Sequence, residues 1–153
     1  MVQAIIFDFN RTLFNPETNK FSHNVGKILT KLSKGFSLGL ISSREKGRED
    51  LIKTWKTAKL FRCTKIVKIK TESEFIKMSN LLNANPKYIV VVGDRIKDEI
   101  LIGNRLGMVT VWLKKGKFSS EIPQKISEEP DFIINNLSQL TKLLDKINIV
   151  NLP

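Results

Sequence analysis

Short apolar runs alternate with longer amphipathic stretches along the whole chain, and two of those runs lead into an aspartate. Residues 4–7 are apolar throughout and precede Asp8; residues 88–92 precede Gly93-Asp94. A run that is apolar at every position, not every second one, suits a strand covered on both faces, as in a parallel sheet. Residues 36–41, 65–69, 108–113 and 132–134 read as further strands, with 65–69 the most polar and therefore nearest an edge. Between them, residues 22–32, 43–60, 71–82, 97–106 and 137–147 read as helices. Val25, Ile28, Leu29 and Leu32 recur at helical spacing, and Phe75, Met78, Leu81 and Leu82 form a second apolar stripe. Thr71 followed by Glu74 has capping-box spacing, and Gly35 and Gly107 act as stops. Residues 114–131 read as a long loop. Strand–helix alternation predicts one α/β domain over residues 1–153: a three-layer sandwich with a central, mostly parallel, Rossmann-like sheet and helices on both faces.

Composition narrows the chemistry. Hydrophobic residues make up 41% and charged residues 27%, a balance that suits a packed core. Twenty-six basic side chains against 15 acidic ones give a net charge of +11, which attracts phosphate, nucleic acid or acidic surfaces, or simply coats a solvated face. Cys63 is the only cysteine, so neither an intrachain disulfide nor a cysteine zinc site can form. His23 is the only histidine, which excludes a histidine-rich metal site. The opening residues lack the basic segment of a signal peptide, and no apolar stretch nears the ~18 residues of a membrane span. A cytoplasmic protein is expected. Lys53, Lys56 and Lys59, with Lys46 nearby, share one face of the helix expected over 43–60 and could follow a phosphate backbone. No aromatic-basic RNA motif accompanies them, so an ordinary charged face is the better reading.

Ligands of open α/β sheets bind at the carboxyl ends of the strands. There this chain carries Asp8 to Thr12, then Ser42-Ser43-Arg44, then Lys70, then Asp94 with Asp98 and Glu99. Taken singly, each has a plain structural use: Asp8 could cap a turn, Asp94 could cap a helix, and Lys70 could be solvated. Together they describe a cavity. A carboxylate ending an apolar strand is costly unless it is paired or binds a cation, and two on neighbouring strands could share one Mg²⁺ through oxygen ligands. Asp98, four residues beyond Asp94, is expected to face the same cavity. A hard, oxygen-rich site beside a lysine and small hydroxyls suits phosphoryl transfer.

The string Ile5-Ile6-Phe7-Asp8-Phe9-Asn10-Arg11-Thr12-Leu13-Phe14 resembles the first motif of the haloacid dehalogenase (HAD) superfamily. Leu40-Ile41-Ser42-Ser43-Arg44 is similar to its second motif, Lys70 to its third, and Gly93-Asp94 through Asp98 to its fourth. The resemblance covers residues 3–145. It implies Asp8 as the nucleophile that forms an aspartyl-phosphate, with Mg²⁺ held by Asp8, the backbone carbonyl of Asn10, Asp94 and Asp98. It also implies Ser42, with Ser43 as the near alternative, and Lys70 as ligands of the phosphoryl oxygens, and Thr12 as the residue that orients the first loop.

One position departs from the family pattern. Its phosphatases carry a second aspartate, which protonates the leaving group, where this chain has Asn10. An amide cannot do that, and losing such help costs a factor of roughly 10² to 10⁴. The spacing between motifs leaves room for a flap over residues 14–21 but for no cap domain. This implies a phosphorylated substrate that could be large. Three classes of function stay open: a Mg²⁺-dependent phosphohydrolase of reduced activity, a catalytically silent protein of this fold that binds a phosphorylated partner, and a basic nucleic-acid-binding module.

Overall fold

The computed structural model describes residues 1–150, with side chains through residue 148. Chain order is β1 (Ala4–Asp8), a small hairpin of β2 (Phe14–Asn15) and β3 (Lys20–Phe21), α1 (Val25–Leu32), β4 (Ser37–Ser43) and α2 (Arg48–Thr54). Then follow β5 (Cys63–Val67), α3 (Glu72–Leu82), β6 (Ile89–Gly93), α4 (Leu101–Arg105), β7 (Val109–Leu113), β8 (Phe132–Ile134) and α5 (Gln139–Val150).

The large sheet runs in the order β5-β4-β1-β6-β7-β8, with every neighbouring pair parallel. Strand β1 lies inside the sheet, so it must be apolar on both faces. Ile5 and Phe7 pack into one core with residues of α1 and α5 and with Ile52 of α2; Ala4 and Ile6 pack into another with residues of α3 and with Ile102 of α4. The fold is therefore the expected three-layer α/β sandwich, and the continuous apolar runs record its two covered faces. Each large side chain buried this way contributes about 1.5–3 kcal/mol. The polar strand β5 is an edge, as its sequence predicted.

Three differences from the sequence expectation bear on the site; elsewhere α1 starts at Val25, not at residue 22, and Leu81 of α3 is exposed, outside the apolar stripe expected of it. The helix foreseen over residues 43–60 is not continuous. Ser43 ends β4, α2 stops after Thr54, and Trp55 takes an extended conformation before a 3₁₀ turn over Lys56–Leu60. The break sets the Trp55 ring stacked on Phe21 at 4.6 Å and against Phe9 and Phe61 at 5.9 Å each. It also divides the lysines: Lys53 lies on α2, Lys56 and Lys59 on the turn. The helix foreseen over 97–106 opens with a wide π-helical turn, Ile96–Ile100, before α4. The third strand starts and ends two residues earlier than expected, so Lys70 stands farther beyond its carboxyl end than the expected strand would leave it. Among the described residues no helix is long and apolar enough to cross a membrane.

The loop between β7 and β8 is pinned rather than slack. The Asp131 carboxylate accepts from the Thr110 amide at 2.8 Å, and Asn104 of α4 donates to the carbonyls of Ser127 and Glu129 at 3.0 and 2.7 Å.

Candidate active site

Parallel strands present their carboxyl ends on one side, and the topology brings four of those ends together. Asp8 closes β1 opposite Ile41 of β4, and Phe7 faces Val92 of β6. Asp94 follows β6, and Lys70 follows β5. Asp8, Asp94 and Glu99 are each no more than 3% exposed, and one carboxylate oxygen from each lies within 4.8 Å of the others. The Lys70 ammonium, itself buried, reaches between them and pairs with both Asp8 and Glu99.

The third carboxylate is thus Glu99, not Asp98. Asp98 is about 40% exposed and pairs with Arg95 at 3.2 Å. Asp94 lies in a bend and Arg95 is extended, so the helical spacing begins only at Ile96 and the count of four from Asp94 does not apply; within the π-helical turn Ile96–Ile100, Glu99 is the carboxylate that is buried. The adjacent carboxylate in the sequence was the available signal. Gly93 makes room for it: a Cβ there would stand 2.7 Å from the Glu99 side chain.

Burial and the neighbouring carboxylates raise the proton affinity of Asp94 and of Glu99. Burial, then the charges of Asp8 and Glu99, push the Asp94 carboxyl up to about 9. Burial and Asp8 push Glu99 up to about 7, against the pull of Lys70. Burial works to lower the Lys70 ammonium, but Asp8 and Glu99 outweigh it and raise it above its ordinary value. One carboxylate oxygen of Asp94 and one of Glu99 are buried without a hydrogen-bond donor. Orphaned, close and anionic, these oxygens are the donor set a hard divalent cation requires, so the residues fit Mg²⁺.

The first loop turns tightly. Arg11 sits at φ 60°, and the amides of Leu13 and Phe14 both donate to the Phe9 carbonyl, at 3.0 and 3.1 Å. That turn folds Thr12 back, and its hydroxyl donates to an Asp8 oxygen at 3.1 Å. Ser42 is fully buried at the end of β4 and its hydroxyl donates to the Ser43 carbonyl; Ser43 is half-buried. The indole of Trp112 donates to the Asp94 carbonyl at 2.9 Å and fixes the fourth loop from β7.

Asn10 has partners that the sequence gave no sign of. Its amide nitrogen donates to Glu45 Oε1 at 3.0 Å, and its amide oxygen accepts from Arg48 at 2.5 Å. Arg48 also donates to Glu45 Oε2 at 2.7 Å and lies over the rings of Phe9 and Phe14, at 4.7 and 5.4 Å. It is only 4% exposed. The flap of β2 and β3 is fastened by the same aromatic group, with the Phe14 and Phe21 rings 5.1 Å apart. Across the site, Phe118 of the loop after β7 is held between Arg11, 5.5 Å away, and Arg95, 4.7 Å away.

Comparison with known proteins bears on this geometry. Residues 70–140 match the HAD-hydrolase-like family model, a segment that holds Lys70, Asp94 and Glu99. The chain is similar to a glyceraldehyde 3-phosphate phosphatase of Pyrococcus furiosus, 35% identical over 74 residues, which cover 48% of this chain and 30% of that protein. A second relative of the same description, from Methanopyrus kandleri, is 34% identical over 73 residues. The chain spans less than a third of the length of these curated relatives. In three dimensions it resembles a HAD phosphatase from Thermococcus onnurineus, with TM-score 0.77 and 15% identity, covering 94% of this chain and 98% of that one. It equally resembles a 2-haloacid dehalogenase from Pseudomonas syringae pv. Tomato, with TM-score 0.79 and 15% identity, covering 96% and 100%. The matched segment is thus similar to HAD-like hydrolases, and the fold over nearly the whole chain is the one these solved structures share.

Proposed function

We propose that this chain is a Mg²⁺-dependent phosphohydrolase that works through an aspartyl-phosphate on Asp8. The observation that carries the reading is the cluster of Asp8, Asp94 and Glu99 with two orphaned buried oxygens and Lys70 among them. The matched relatives' description as phosphatases points the same way.

In this reading Asp8, Asp94, Glu99 and the backbone carbonyl of Asn10 hold the metal, and Glu99 takes the place expected for Asp98. When bound, Mg²⁺ supplies positive charge against the phosphoryl oxygens. An Asp8 carboxylate oxygen attacks phosphorus. Lys70 neutralises charge on Asp8 before the attack and on the phosphoryl group during it. Thr12 fixes the second Asp8 oxygen, so one oxygen points to the substrate. Ser42, with Ser43 beside it, offers its hydroxyl to a phosphoryl oxygen by giving up its bond to the Ser43 carbonyl. Water then cleaves the acyl-phosphate bond and restores Asp8. The substrate is a phosphorylated compound, and among the described residues only a hairpin and one helix lie between β1 and β4, so a large one is admitted.

The test is release of nitrophenol from p-nitrophenyl phosphate by the natural chain and by Asp8→Asn, with and without Mg²⁺. Turnover that requires both Mg²⁺ and Asp8 is expected. Phosphate binding with no turnover in any condition would overturn the reading in favour of a silent, phosphate-binding protein. Binding to RNA that survives Asp8→Asn but falls when Lys53, Lys56 and Lys59 are changed would favour a nucleic-acid module.

A further inference from the structure

The carboxyl edge of the sheet holds a second opening beside the carboxylate cluster. It is a cavity of about 940 Å³ between the β2–β3 flap and the loops that follow β7 and β8. Asp8 ends β1 and Leu113, on the cavity wall, ends β7; only β6 lies between these parallel strands. At a strand spacing of about 4.8 Å, the cavity begins roughly 10 Å along the edge from Asp8.

Its walls are strongly cationic. Arg11, Lys20, Lys115 and Lys117 line it, with Glu17 as the one carboxylate. Arg11 takes that carboxylate at 2.6 Å, so Glu17 offsets one charge of the four. Among the described residues, Lys20, Lys115 and Lys117 enter no ion pair. The local backbone sets them there. Gly116, at φ 73°, turns the chain just after β7 ends, with Lys115 and Lys117 on either side of it. Phe118, held between Arg11 and Arg95, fastens that loop to the first loop of the site. Lys20 is held in the flap by its pairing with Asn15. Three like charges around one cavity repel each other, and an anion among them removes that cost.

We propose that this cavity binds a small polyanion, an organic molecule with two or more carboxylate or phosphate groups. Its volume lies within the range of roughly 300–1,000 Å³ that small-molecule sites occupy. Several ammonium groups, each free to donate a charge-assisted hydrogen bond, match several acidic groups better than one. The occupant is either the far end of the phosphorylated substrate or a separate molecule, and the recognising chemistry is the same. Two hydrogen bonds join this wall to the nucleophile: Ser22 donates to the Thr12 carbonyl at 2.8 Å, and the Thr12 hydroxyl donates to Asp8. Binding itself does not depend on the phosphohydrolase reading; only the occupant's source rests on it.

His23 lies on the same wall and is the only histidine, so its ring resonance in proton NMR reports this cavity alone. The probe is tricarballylate, a small tricarboxylate, titrated in chelator at ~0.15 M salt, where charges beyond ~8 Å are screened. The chelator keeps Mg²⁺ from drawing the probe to the carboxylate cluster. The expected result is a saturable shift of the His23 resonance, with an affinity at least ~10-fold above that for acetate, the worth of one further charge-assisted hydrogen bond. Changing Lys20→Gln, Lys115→Gln and Lys117→Gln together is expected to lower that affinity by at least ~10-fold. Lys31→Gln, Lys34→Gln and Lys87→Gln together remove the same charge at the opposite, amino edge of the sheet. That variant is expected to keep the affinity within ~2-fold. No saturable shift, or an equal loss in both triple variants, would overturn the proposal. The source is read from turnover of p-nitrophenyl phosphate at fixed free Mg²⁺. Tricarballylate that raises KM alone supports the substrate's far end as the occupant, and a change in kcat supports a separate molecule. No Asp8-dependent turnover would overturn the phosphohydrolase reading and leave a polyanion site defined by the His23 shift.

Discussion

Gly93 and Glu99 fit together so closely that a single methyl group on Gly93 would collide with the Glu99 side chain. The Cβ, Cγ and Oε2 atoms of Glu99 would each lie 2.7 Å from it. Glycine here is a requirement of the neighbouring carboxylate, not of the backbone. Gly93→Ala is accordingly expected to displace Glu99 from Lys70 and weaken Mg²⁺ binding by about tenfold or more, equivalent to at least about 1.4 kcal/mol. Calorimetric titration with MgCl₂ checks this, and unchanged affinity would remove Glu99 from the metal site.

Lys70 is the internal counter-ion of a buried anionic cluster. Lys70→Met leaves Asp8 and Glu99 without their cation, a change that typically costs about 3–5 kcal/mol. Chemical denaturation without Mg²⁺ should show that loss, and added Mg²⁺ should return part of it. Equal denaturation midpoints for the two proteins would mean that the pair contributes nothing to the fold.

The raised carboxyls set a pH dependence with a definite sign. With Asp94 raised to about 9 and Glu99 to about 7, the folded chain holds more protons than the unfolded one above the ordinary carboxyl range. Their contribution to metal-free stability therefore falls as pH rises from that range through about 7 and then 9, and levels off beyond. Mg²⁺ requires the ionised carboxylates, so its affinity should rise across the same window. Thermal melts in chelator and Mg²⁺ titrations, both from pH 5 to 9, read the two opposite trends.

Trp112 fixes the loop that carries Asp94 through one buried hydrogen bond. Trp112→Phe leaves the Asp94 carbonyl without that donor and is expected to cost about 1–3 kcal/mol. It should also lower Mg²⁺ affinity, because Asp94 is no longer held in place. Urea denaturation gives the first quantity and metal titration the second.

Much of this arrangement is legible in the residues. Ile5, Ile6 and Phe7 are apolar in succession because β1 is covered on both sides, and that alone forces Asp8 to the mouth of a parallel sheet. Val90 to Val92 carry the same message for Asp94. Glu99 was harder, since Asp98 stands beside it and a helix counted from Asp94 selects Asp98; the bend at Asp94 and the extended Arg95, which delay the helix to Ile96, leave no local signal of their own. The hold of Arg48 on Asn10 spans 38 residues of sequence and has no local periodicity to betray it. Trp55 ends α2 early for a tertiary reason, its stacking on Phe21, which overrides a stretch that otherwise reads as helix.

The interior position of β1 also governs the order in which this protein can assemble on the ribosome. Its first edge is covered by β4, but its second waits for β6, whose last residue follows Asp8 by 85 positions. At a synthesis rate of about 5–20 residues per second, that interval is on the order of 4–17 seconds. Throughout it the growing chain carries an apolar strand with an open edge, the form most prone to pair with a neighbour. No part of the Asp8–Asp94–Glu99 cluster can close before β6 arrives. Mg²⁺ affinity is therefore a readout of the finished fold, absent from any shorter nascent chain.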